Sequence, residues 1–227
     1  MPLRLRAFAE ALGSMLLFAC VIGSGVMAER LAGGNAAVAL LGNTLATAAM
    51  LLVLVSTLGP VSGAHLNPAV TLIAAVRGEL PSRDAAAYVV AQLAGGLIGV
   101  LLAHAMFDMP LWEVGSKVRT GPGQWLSEGV ATFALVLAIL GGVRHKPAWV
   151  PVIVASVITA GYWFTASTSF ANPAITLARA LTDSFSGIRP VDVPAFIAAQ
   201  FAGALVAAVC AQVLFDAPKP AAAIPPA

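Results

Sequence analysis

The chain has 227 residues, 59% of them hydrophobic and only 10% charged, with a mean hydropathy of +0.92. Soluble domains run near ~25% charged, so the composition excludes a soluble globular protein and points to a membrane first. A net charge of +2 with no basic block gives nucleic-acid binding no support, and two cysteines in apolar runs, Cys20 and Cys210, exclude a small disulfide scaffold.

A membrane-crossing helix takes ~20 mainly apolar residues. Arg4 and Arg6 precede a first apolar run over 8–27, with Glu10 near its start and no convincing cleavage site after it, so it reads as a retained span rather than a signal peptide. Residues 31–76 contain no Asp, Glu, Lys or Arg. That stretch is too long for one span, and Gly59-Pro60 and Gly63 interrupt it. It divides into a span over 38–58 and a short re-entrant piece. Further spans follow at 85–107, 125–143 and 148–166, then a second short piece over 167–178 and a last span over 193–215. Six spans consume just over half the chain and leave no room for a second domain. The expected organisation is one domain over 1–227, with repeats at about 7–107 and 125–216 and a Pro/Ala-rich, flexible tail over 217–227.

With the amino terminus inside, the inner side carries Arg4, Arg6, Arg77, Arg83, Arg144, Lys146 and Lys219, and the outer side Arg30, Lys117, Arg119, Arg179 and Arg189. Seven against five favours cytoplasmic termini by a small margin. Trp149, Tyr162 and Trp163, near span ends, read as residues of the interfacial belt.

The chain repeats itself. Asn67-Pro68-Ala69-Val70-Thr71-Leu72 recurs as Asn172-Pro173-Ala174-Ile175-Thr176-Leu177, Ala91-Gln92-Leu93-Ala94-Gly95 recurs as Ala199-Gln200-Phe201-Ala202-Gly203, and Glu10 has a counterpart in Glu128. The order is the same in both halves, so the chain duplicates a three-span unit. Three is odd, and the second copy therefore lies upside down relative to the first. Paired broken helices in an inverted repeat place a site at the bilayer midplane. Asn caps a helix and Pro suits its first position, so each Asn-Pro-Ala starts a short helix whose N-terminus carries roughly half a positive charge. Two such ends make a polar, mildly positive waist that passes neutral solutes and disfavours cations. One Asn-Pro-Ala carries little information; two, inverted and equivalently placed, carry much.

These residues resemble the major intrinsic protein family, the aquaporins and aquaglyceroporins, from Glu10 to about Phe215, including Ser62-Gly63-Ala64-His65-Leu66 where that family usually has Ser-Gly-Gly-His. The resemblance implies an all-α membrane protein with six transmembrane helices, two re-entrant half-helices and an inverted three-span repeat. It also implies a homotetramer in the bilayer with one pore per subunit, passive conduction and no cofactor. By resemblance Asn67 and Asn172 point their amides into the pore as well as capping. Glu10 and Glu128 accept backbone N–H groups of the re-entrant loops, although Glu10 also fits an end-of-helix position among headgroups. His65 lines the inner pore or is a packed, satisfied histidine. Gly95, Gly96, Gly99 and Gly203 fit close helix crossings, and His104 and His145 have no motif around them.

The departure from the family pattern is Ile175, where most members have Arg directly after the second Asn-Pro-Ala. The other constriction positions fall on Thr47, on Ala160 (or Gly161, should the register slip) and on Ser169. Thr, Ala, Ser and Ile make a wide, uncharged opening. Such a set looks like a bacterial branch associated with arsenic resistance, which implies a bacterial inner membrane and a pore for glycerol-like polyols, neutral metalloid hydroxides such as arsenite, and water. Arg179, one helical turn beyond Ile175, either hangs over the pore mouth, caps carbonyls or meets headgroups. Two alternatives remain: a general water and small-solute pore without a metalloid role, and an inverted-repeat secondary transporter. The transporter would need ionisable groups near midplane, where only histidines are found. No nucleophile–base set or metal cluster suggests an enzyme.

Overall fold

In the computed structural model, which describes residues 1–215, every regular element is helical: α1 (Leu3–Leu31), α2 (Ala36–Ser62), α3 (Pro68–Val76), α4 (Ser82–Met106), α5 (Pro122–His145), α6 (Val150–Phe164), α7 (Pro173–Arg179) and α8 (Val193–Phe215). The segments anticipated at 217–227, and the end of the second repeat at 216, lie outside the described residues. Six helices are long and apolar enough to cross a membrane; the fifth includes a 3-10 turn, Pro147–Trp149, that runs into α6. The two short pieces are the half-helices α3 and α7, of 9 and 7 residues. Apolar side chains such as Phe8, Leu45, Val53, Val90, Val209 and Val213 stay exposed around the perimeter, as lipid contact requires.

Most boundaries differ from the sequence expectation by a few residues, and the end of α2 is the instructive one. α2 does not stop at residue 58 but runs through Pro60 to Ser62. Pro60 removes only one hydrogen bond near the helix end, and the Gly63 N–H still closes the last turn on the Gly59 carbonyl.

The duplication is visible in packing. α1 lies against α4, and α5 against α8, through matching glycines. A Cβ on Gly95 would fall inside the Ala11 carbonyl, and a Cβ on Gly203 inside that of Gly129. Each glycine thus faces the residue following one of the two buried glutamates. A Cβ on Gly96 or Gly99 would strike Phe18 or the Met15 carbonyl. Small residues at a crossing let two backbones touch, and that contact brings α4 and α8 close enough for their glutamines to reach the glutamates.

Candidate functional site

α3 and α7 start where the two repeats meet. Asn67 caps α3, its Oδ1 accepting from the Ala69 N–H at 2.9 Å; Asn172 caps α7, accepting from Ala174 and Ile175. The amides then cross: Asn67 Nδ2 donates to the Ala171 carbonyl and Asn172 Nδ2 to the Leu66 carbonyl, both at 2.8 Å. An amide carries two hydrogens, so each asparagine keeps one for the cavity that both residues line. Pro68 and Pro173 occupy the first helical positions, and Ala69 and Ala174 are buried behind them.

The loops that lead into these caps share an unusual backbone. φ is positive at Gly63, Ala64 and Leu66 in the first, and at Thr168, Ser169 and Ala171 in the second. Non-glycine residues pay for this conformation, on the order of 1–3 kcal/mol each, so something must hold them. Glu10, fully buried, accepts from the His65 N–H at 3.0 Å, the Leu66 N–H at 2.7 Å, Ser62 Oγ at 2.7 Å and Gln92 Nε2 at 2.8 Å. Glu128, equally buried, accepts from the Phe170 and Ala171 N–H groups at 2.9 Å and Gln200 Nε2 at 2.6 Å. Gln92 also donates to Thr71 Oγ1, and Gln200 to Thr176 Oγ1. The repeated glutamines thus join the glutamate and the half-helix of their own repeat. Glu10 is not an exposed end-of-helix residue: it is fully buried and its partners all lie inside the protein. His65 stacks edge-on against Tyr88 with centroids 5.4 Å apart, pairs through Nδ1 with Thr71 Oγ1 at 3.1 Å and lines the cavity.

The cavity holds about 560 Å³. At the end where the described chain begins and finishes its wall includes Arg77, Glu79, Arg144 and Phe215; apolar side chains such as Val55, Leu135, Val154 and Ile158 form its middle. At the opposite end it is bounded by Thr47, Tyr162, Ser169, Ile175 and Arg179. Thr47, Ser169 and Ile175 therefore come together. Ala160 does not join them. It is exposed on the outward face of α6, because two residues turn a helix by ~200°. The face that meets the cavity carries Val154, Ile158 and Tyr162 at successive four-residue steps. Gly161 is buried against Ser169, which a Cβ there would strike. Tyr162 is thus no belt residue. It is 3% exposed, and its hydroxyl is hydrogen-bonded to Thr47 Oγ1 at 3.2 Å, both residues lining the opening. Trp149 and Trp163 remain exposed. The four-residue spacing on α6 was the signal for Tyr162, and counting back from Asn172 missed it.

Two arginines also gather at this end. Arg179, 2% exposed, donates through Nε to the Ser186 carbonyl and sits over the Phe170 ring, 3.4 Å from its centroid. Arg119 comes from the loop before α5, which sequence reasoning left unassigned. Its Nε donates to the Gly187 carbonyl at 2.9 Å, its Nη1 to the Ser167 carbonyl at 3.1 Å, and it too lies over Phe170, at 4.9 Å. Burial pushes the Arg119 guanidinium down to about 10, which leaves it protonated at neutral pH. Lys117, beside them, is lowered to about 8 by burial first and then by the charges of Arg119 and Arg179. Among the described residues no group of His, Cys, Asp and Glu is arranged to hold a metal ion.

Six crossing helices, two half-helices capped head to head and a lined cavity through the middle define a multi-pass helical membrane channel. Residues 3–148 match the family described as "Major intrinsic protein". The chain belongs to that family, whose members are passive channels for water and small neutral solutes. It is 56% identical over 215 residues to the aquaglyceroporin AqpS of Rhizobium meliloti, covering 95% of this chain and 92% of that one. It is 31% identical to the probable aquaporin AqpM of Archaeoglobus fulgidus, over 92% of this chain and 96% of that protein. Among solved structures, the aquaglyceroporin from Plasmodium falciparum superposes with a TM-score of 0.70 at 21% identity, over 94% of this chain and 97% of that one, a likeness of fold alone.

Proposed function

We propose that this chain is a wide aquaglyceroporin-like pore that passes glycerol-like polyols and neutral metalloid hydroxides such as arsenous acid, together with water. The observation that carries the reading is Ile175 in the wall of the far opening, where a charged, many-donor arginine would otherwise narrow the passage. Thr47, Ser169 and the Tyr162 hydroxyl offer hydrogen bonds to one side of a solute and Ile175 an apolar surface to the other, which suits a polyol or a small hydroxide. Asn67 and Asn172 each supply a donor at the waist, His65 lines the path towards the termini, and Glu10 and Glu128 hold the loops. Likeness to an aquaglyceroporin over nearly the whole chain supports the solute class. On this reading the chain is one channel domain of two inverted repeats, assembles as a homotetramer and sits in a bacterial inner membrane with its termini in the cytoplasm.

The test is a solute series in proteoliposomes, comparing the parent with Ile175→Arg at equal protein density. The arginine variant should lose glycerol and arsenite flux by roughly tenfold or more while water flux survives. Undiminished passage of the larger solutes would place the constriction elsewhere.

A further inference from the structure

Arg179 and Arg119 are both buried, and among the described residues neither side chain has a carboxylate within ion-pair distance, whereas Arg6, Arg77 and Arg189 each pair with one. Two buried cations without an ion-pair partner are costly inside a membrane protein and mark function. Their surroundings are built to keep them. Carbonyls of Ser186, Gly187 and Ser167 accept from them, and the Phe170 ring lies under both. Arg179 spends only Nε on a described partner, and the residue lines the cavity beside Ile175. Side chains on a helix lean toward its N-terminus, so a residue one turn beyond Ile175 returns its guanidinium over the turn that Ile175 occupies. Phe170, in the loop before α7, receives it there.

We propose that Arg179, backed by Arg119, is the charge filter of this pore: it repels protons and metal cations at the far opening, while Ile175 leaves that opening wide. Size and charge selection are then carried by different residues. An arginine at position 175 would impose both at once. Here the guanidinium is held against Phe170 in the cavity wall, where its field acts on the passage through a medium of low dielectric constant. A neutral, hydrogen-bonding solute carries no net charge for the field to repel. This inference rests on the reading of the chain as a wide pore for neutral solutes, and its test is arranged to fail separately.

Proton entry into proteoliposomes, driven by a potassium gradient with valinomycin, is measured with an internal pH dye and divided by water permeability in the same vesicles. Arg179→Met should raise that ratio by roughly tenfold or more, since removing one nearby charge changes a cation's barrier by that order. Arg179→Lys, which keeps the charge, should stay near the parent. A ratio for Arg179→Met no higher than the parent's overturns the proposal. So does a rise in Arg179→Lys as large as that in Arg179→Met, which would mean that shape and not charge is responsible. Should Arg179→Met fail to insert, Arg119→Met carries the test: a severalfold rise supports the filter and an unchanged ratio overturns it. Because the ratio is taken against water, a parent that excludes glycerol would defeat the wide-pore reading and leave the charge result standing.

Discussion

Glu10 shows how much a single side chain can organise. All four of its partners are donors, two on each oxygen: Ser62 Oγ and the His65 N–H on Oε1, the Leu66 N–H and Gln92 Nε2 on Oε2. Removing it orphans buried donors at about 1–3 kcal/mol each. A glutamine keeps Oε1 as an acceptor but turns the other atom into a donor that faces donors. Part of that loss is recoverable, because Gln92 Oε1 has no partner and an amide flip would present it to the new NH2. Thermal unfolding in detergent should therefore rank parent above Glu10→Gln and Glu10→Gln well above Glu10→Ala. Equal midpoints for the two variants would mean that Glu10 does not hold the loop. The glutamates were legible as a repeated pair of costly groups. Their glutamine partners were visible only as a repeat, since nothing in a residue spacing says that α4 lies one backbone away from α1.

At the scale of elements, what the sequence revealed and what it hid follow from local marks. The half-helices carry theirs, an asparagine cap followed by proline, and α3 and α7 begin at the expected residues. The loops ahead of them carry almost none. Five of their six positive-φ residues are Ala64, Leu66, Thr168, Ser169 and Ala171, types that never advertise that conformation, because tertiary hydrogen bonds and not local preference hold it. Tyr162 was misread for a related reason: an aromatic near a span end fits the belt, and only its phase on α6 relative to Val154 and Ile158 turns it inward. The helix crossings are the most exacting contacts. A side chain on Gly203 must push α8 away from the Gly129 carbonyl, and Gln200, one turn earlier, would be drawn off Glu128 and Thr176 with it. Gly203→Val should cost about 1–3 kcal/mol of overpacking and lower solute flux as well, because it loosens the second half-helix. Gly59→Ala, with nothing within 4 Å of its Cβ, is the control expected to match the parent. Normal stability and flux in Gly203→Val would show that the crossing can relax without disturbing the pore.

At the scale of the whole molecule, the two halves carry matching motifs and matching helix contacts, and that match bears on how solute moves. A coupled transporter needs an ionisable group that takes up and releases its charge on the solute's path. The two buried glutamates each accept donors on both oxygens, which ties them to the loops and keeps them out of the cavity wall. Among the described residues the carboxylate that lines the cavity is Glu79, at the mouth near the termini and paired with Arg77. Between the two mouths the path is apolar except for the two asparagine amides and His65, while Thr47, Ser169, Tyr162 and Arg179 bound the far opening. Among the described residues no carboxylate lies on that stretch to couple flux to an ion gradient, and the His65 ring is engaged by Thr71 and packed on Tyr88. Flux in proteoliposomes should therefore follow the solute's own gradient, rise in proportion to it without saturating over a low millimolar range, and reverse when the gradient is reversed. An imposed membrane potential or proton gradient should leave the rate of a neutral solute unchanged. Accumulation of glycerol against its gradient, driven by either, would require a coupling group on this path and would defeat the channel mechanism.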